Sequence, residues 1–63
     1  MSAAVEQARA ELIAALVRAG EAVIGNLDAP CQARRIEADQ ALEEARFCGI
    51  VLNELLIEEG EHP

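Results

Sequence analysis

The hexapeptide GNLDAP, residues 25–30, is the one cluster of turn-forming residues in a long helix-patterned chain. On each side of it, apolar residues recur at three- and four-residue intervals, the period of a buried helical stripe. A short turn between two long helices folds them back on each other as an antiparallel hairpin. The expectation is an all-α fold, one antiparallel two-helix hairpin over residues 1–63. Its first helix should run over about residues 3–25 and its turn over 26–30. A second helix should follow over about 31–58, with a frayed tail at 59–63.

Local signals supply the boundaries. Ser2 is a suitable N-cap for the first helix. The first acid stands at Glu6 rather than at position 5, so the reciprocal capping box is incomplete. Gly25 and Asn26 read as stop signals. Asp28 can cap the second helix, and Pro30 suits its first turn, where the missing N–H is not needed. The first stripe comprises Val5, Ala8, Leu12, Leu16, Ala19 and Val23. The second comprises Ala38, Ala41/Leu42, Ala45, Cys48/Gly49, Leu52 and Leu55/Leu56, and Glu58, Glu59 and Gly60 end it. Small residues in the seam, chiefly Ala8, Ala15, Ala19, Ala38, Ala41 and Ala45, allow close approach of the helices. Gly20 and Gly49 lie inside helices at about 1 kcal/mol each relative to alanine. The expected reason is close packing where the helices cross.

The apolar residues exceed what one hairpin can cover. The stretch ARFCGIVLNELLI, residues 45–57, is apolar on nearly every side of a helix. The first helix carries a second strip, Ile13, Val17 and Ile24, within about 40° on a helical wheel. The second carries Phe47, Ile50 and Ile57 opposite its seam, flanked by Ile36 and Val51. A hairpin buries one face of each helix, not two. Leaving these side chains in water forgoes roughly 1.5–3 kcal/mol apiece, and an exposed apolar patch marks an interaction site. The predicted partner interface is therefore Ile13, Val17, Ile24, Phe47, Ile50 and Ile57. Phe47, the only aromatic, is its best anchor.

Length sharpens the need for a partner. A chain of 63 residues buries only roughly 60% of its unfolded surface and usually needs a staple. An intrachain disulfide does not supply one. On one helix, Cys31 and Cys48 would stand about 25 Å apart, whereas a bridge needs Cα atoms within about 7 Å. A reducing compartment and two small apolar side chains are the expectation. No metal site is expected either, because there is no CxxC and the only histidine is His62.

Charge and chemistry narrow the function. The formal net charge is −7, with twelve acids against five arginines and no lysine. Binding to a phosphate backbone rests on basic residues, so no nucleic-acid partner is expected. No run approaches the ~18 apolar residues of a membrane span. The N-terminus lacks the basic cluster of a secretory signal, so no membrane association and a cytoplasmic location are expected. The chain has no Gly-rich phosphate loop, no Tyr, Thr, Lys or Trp, and one serine, Ser2. The pairs Glu43/Glu44 and Glu58/Glu59 are adjacent residues, which point about 100° apart on a helix and do not face each other. Arg34 and Arg35 beside Glu37, Asp39 and Glu43 read as exposed ion pairs. No catalytic residue and no cofactor are expected. The chain reads as an interaction protein, not an enzyme.

Three small motifs also keep a common spacing. Ala15-Leu16 is followed after eleven residues by Asp28-Ala29, and after eleven more by Ala41-Leu42-Glu43. With Pro30 and Gln32 beyond the turn, this pattern resembles the small E component of type III secretion systems, the YscE/PscE/AscE family. The resemblance covers about residues 12–56, although GIVLNELL is more aliphatic than in some relatives. It implies a helical hairpin acting as a co-chaperone in the bacterial cytoplasm. Its partner would be a chaperone of tetratricopeptide repeats, the G component. Through that chaperone it would keep the needle subunit, the F component, monomeric before export, and so serve virulence-associated protein transport. The alternative reading is a homodimeric four-helix bundle with a regulatory or structural role, in which two hairpins bury the same strips symmetrically. The two overlap, since an E component without its chaperone can pair with itself. The needle subunit itself and a small phage-encoded inhibitor are further rivals.

Overall fold

The computed structural model describes residues 2–60. Helix α1 spans Ala3–Asp28 and helix α2 spans Gln32–Gly60. Between them lie only Ala29, Pro30 and Cys31, so the helices return antiparallel and pack along their length. The expected all-α two-helix hairpin is the observed fold.

The helix ends follow from local chemistry. Ser2 is extended (φ −74°, ψ 157°), and its hydroxyl accepts a hydrogen bond from the Val5 N–H at 3.2 Å. Its carbonyl accepts the first helical bond, from the Glu6 N–H at 3.1 Å. Helix α1 runs three residues past the expected stop at Gly25. Neither Gly25 nor any other described residue turns to positive φ. The terminator is Pro30 instead. The residue before a proline is pushed out of helical geometry, and Ala29 accordingly sits at φ −143°, ψ 76°. Its N–H still closes onto the Gly25 carbonyl at 3.1 Å. Asp28 thus ends α1 rather than capping α2, and Pro30 precedes α2 rather than entering its first turn. The Cys31 carbonyl accepts from the Arg35 N–H at 3.0 Å and opens the second helix. At the far end α2 continues through Gly60. Residues 61–63 of the predicted tail lie outside the described residues.

The seam between the helices keeps a strict seven-residue repeat. In α1 the stripe runs through Val5, Ala8, Leu12, Ala15, Ala19, Ala22 and Asn26, all buried or half-buried and in alternating steps of three and four, with Val23 and Gly25 half-buried beside it. In α2 it runs through Ala38, Ala41, Ala45, Cys48, Leu52 and Leu55, with Gly49 and Val51 half-buried beside it. Such a repeat keeps one stripe facing the partner helix when the pair supercoils. It corrects the expected stripe at two residues: Ala15 is 1% exposed and sits in the seam while Leu16 is 54% exposed, and the repeat runs through Ala22, with Val23 half-buried beside it. In α2 it resolves the doubled choices, with Ala41 and Leu55 inward and Leu42 and Leu56 exposed. Near the turn, Asn26 buries its Oδ1 without a hydrogen-bond partner.

Contacts along the hairpin mark its antiparallel register. The Ser2 hydroxyl donates to the Glu59 carboxylate at the open end. Arg18 pairs with Glu44 near the middle. The Arg34 guanidinium donates to the Gly25 carbonyl at 3.2 Å beside the turn. The centre of the seam is Ala15, Ala19 and Ala45, with Ala41 and Cys48 against them. Alanine contacts let helix axes approach toward the short end of the usual 8–10 Å range. They also make a thin core. Among the described residues Val5 is the only side chain larger than alanine that is almost fully enclosed.

That thin core leaves an incomplete globule. The radius of gyration is 14.6 Å, against about 10.6 Å for a compact domain of this length. The accessible surface is 4792 Å², against about 3,900 Å² for a folded monomer of this mass.

Candidate functional site

The seven-residue repeat places every exposed residue relative to the seam. Each helix has two flanks beside its seam and a back pointing away from the other helix. In an antiparallel pair, like flanks come together on the same side. The Arg18–Glu44 pair marks one such side. Shallow hollows there are lined by Glu11, Ala14, Phe47, Cys48 and Val51.

This side is acidic. It carries Glu11, Glu21 and Asp28 from α1, and Glu37, Glu44, Glu54 and Glu58 from α2, against Arg18 alone. The opposite side is apolar and nearly balanced in charge. Leu16 and Val23 of α1 lie beside the seam there at the level of Leu42 of α2, with Leu56 of α2 toward the open end and Ile13 and Leu27 one row further out. Arg9, Arg35 and Arg46 share that side with Glu6 and Asp39. A chain of net charge −7 thus concentrates its negative charge on one flank and its leucines on the other.

All six predicted interface residues are exposed, but they do not form one patch. Val17 and Ile24 stand on the back of α1, and Ile50 and Ile57 on the back of α2, so the two pairs point in opposite directions. Ile13 belongs to the leucine flank. Phe47 is 67% exposed and belongs to the acidic flank, where it walls the hollows beside Glu11 and Glu44. A flat partner can cover one of these groups, not all of them. Sequence reasoning placed Leu16 in the seam, left Leu42 and Leu56 there as alternatives to Ala41 and Leu55, and passed over Leu27; all four are exposed. The signal that finds them is the repeat itself: taken strictly at seven residues, it puts an alanine inward at each disputed step of α1.

The two mid-helix glycines also lie on the leucine flank. A Cβ at Gly20 would meet nothing within 4 Å. One at Gly49 would reach ordinary contact, 3.8 Å from Leu12 Cδ1. Gly20 is therefore not explained by packing between the two helices, contrary to expectation. Each glycine costs about 1 kcal/mol relative to alanine, and the hairpin itself has room for a methyl group at both.

The remaining chemistry is sparse. Both cysteines are free, Cys31 exposed at the turn and Cys48 half-buried in the seam. Among the described residues no group of three His, Cys, Asp or Glu side chains could hold a metal ion. No described helix is long and apolar enough to cross a membrane. The surface divides into an acidic and an apolar half. No protein-family model, no curated protein and no solved structure matches the chain.

Proposed function

We propose that this chain is a non-catalytic partner subunit, a cytoplasmic co-chaperone of a bacterial type III secretion system. It docks on a chaperone built of tetratricopeptide repeats and stabilises it, and the pair keeps the needle subunit monomeric until export. The observation that carries the reading is the imbalance of the hairpin: among the described residues Val5 is the only side chain larger than alanine that is almost fully enclosed, while eleven large apolar side chains are exposed. A surface of that kind marks an interaction site. A tetratricopeptide array is a natural recipient, because it stacks helix pairs and needs its terminal apolar face covered. A two-helix hairpin with an apolar flank continues such a stack. The motif spacing from Ala15-Leu16 to Ala41-Leu42-Glu43 supports the particular system.

The test is affinity purification of the tagged chain from its native cells, with the co-purifying proteins identified by mass spectrometry. The reading expects a stoichiometric tetratricopeptide-repeat protein and, with it, a small helical needle subunit. Recovery of the chain alone, or with an unrelated stoichiometric partner, overturns it.

A further inference from the structure

We propose that the acidic flank is a docking surface for a basic amphipathic helix of another protein, seated with its apolar side chains against Phe47. The inference goes beyond the chaperone reading, which uses the leucine flank. It rests on two separate observations, the shape of the acidic flank and its charge. The hollows there are apolar, lined by Ala8, Ala14, Phe47, Cys48 and Val51. Phe47, the only aromatic residue of the chain, is largely exposed at their wall. Carboxylates frame this patch. Glu11 lines both hollows from α1, and Glu44 lines one of them from α2. Along α2, Glu44 stands before Phe47, and Glu54 and Glu58 stand beyond Val51.

Charge selects the occupant. Seven carboxylates and one arginine share this flank, and that arginine, Arg18, is already paired with Glu44. A neutral or acidic helix laid over the hollows would desolvate carboxylates without pairing them, or meet like charge. This chain is itself a poor occupant, with twelve acids against five arginines. Its one pair of adjacent arginines, Arg34 and Arg35, lies beside Glu37 and Asp39. A basic helix answers both features at once. Residues three and four apart share a helix face. Two apolar side chains one turn apart can therefore cover Phe47 and Val51, while cations one turn further out reach Glu44 on one side and Glu54 and Glu58 on the other. Glu44 to Glu58 spans about 21 Å along α2, the length of a helix of about 14 residues. The field of the flank steers a cationic partner toward it, and the exposed ring supplies the anchor contact.

Isothermal titration calorimetry on the purified chain at about 100 µM reads the binding of a synthetic probe. The probe is an alanine-based peptide of about 15 residues, with two leucines one turn apart and arginines one turn beyond them. The expected dissociation constant is on the order of 10 µM, weakened about tenfold between about 0.05 M and about 0.5 M sodium chloride. A peptide of the same composition, with its leucines and arginines on opposite faces, should bind about tenfold more weakly. Phe47→Ala should weaken binding of the probe about tenfold or more. Glu11→Gln combined with Glu54→Gln should weaken it about fivefold. Both proteins should keep their helicity by far-UV circular dichroism. Val17→Ala, on the back of α1, should stay within about twofold of wild type. A wild-type chain that does not bind the probe overturns the proposal. So does equal binding of the rearranged peptide, because charge alone would then suffice, and so does an affinity that ignores salt. These arms need no variant to fold. Among the variants, Phe47→Ala or the double glutamine protein binding as well as wild type overturns it, as does Val17→Ala losing as much as Phe47→Ala. No chaperone enters the titration, so its failure leaves the proposed function standing.

Discussion

Replacing Ala15 with leucine tests the alanine seam on which the whole arrangement rests. Ala15 is 1% exposed and packs with Ala19 and Ala45, themselves 2% and 6% exposed. Leucine adds three carbons to a layer with no room for them. The helices must separate, or the side chain must leave its preferred rotamer, at a cost of about 1–3 kcal/mol. The change in intrinsic helix propensity from alanine to leucine is a few tenths of a kcal/mol at most, too small to decide the result. The control is Ala10→Leu, the same chemical change at an exposed position of the same helix, which should stay within about 0.5 kcal/mol of wild type. Urea unfolding followed by far-UV circular dichroism, at one fixed protein concentration, separates the two. With a slope of about 1 kcal/mol/M, Ala15→Leu should lower the midpoint by about 1–3 M, and Ala10→Leu by less than about 0.5 M. An Ala15→Leu protein as stable as the control would refute the reasoning. It would mean that the seam is elastic, or that it runs through Leu16.

Ser2→Ala removes the hydroxyl that caps α1 through the Val5 N–H and should cost about 1 kcal/mol, read as a lower thermal midpoint. Arg18→Ala breaks a pair whose side chains are 57% and 54% exposed; it should cost less than about 1 kcal/mol, and a midpoint shift equivalent to several kcal/mol would contradict the solvent-exposed geometry. Thiol titration of the reduced native protein should show Cys31 reacting faster than Cys48, as their exposures require. Mass spectrometry of the unreduced monomer should find both thiols intact.

The hairpin was legible because one short segment interrupts two long periodic ones. Its exact break was less so. Gly25 and Asn26 resemble a helix stop, yet neither leaves helical geometry, because the stronger constraint is the steric exclusion that Pro30 places on Ala29. The seam slipped at Leu16 for a different reason. Hydrophobicity favours leucine over alanine as a core residue, while packing two helices closely favours alanine. A straight helix also drifts about 20° per heptad from a seven-residue repeat, so a wheel drawn at 3.6 residues per turn puts Leu16 about 20° from Val5 and Ala15 about 80° away, and favours the wrong residue. The surplus of apolar side chains was visible from sequence, and all six residues singled out from it are exposed. Their division among flanks and backs was not visible. It depends on which flank of one helix meets which flank of the other, and that is decided by the antiparallel register that Arg18–Glu44 marks.

The central claim is that this hairpin is incomplete without another chain. Far-UV circular dichroism of the purified protein over a dilution series, from about 100 µM to about 1 µM, tests it most directly, because the stability of a chain that folds by associating depends on its concentration. The account predicts a strong helical signal at the upper end that falls substantially on dilution and returns when the chain is concentrated again. A fully helical monomer whose signal and thermal midpoint are the same at every concentration would contradict it.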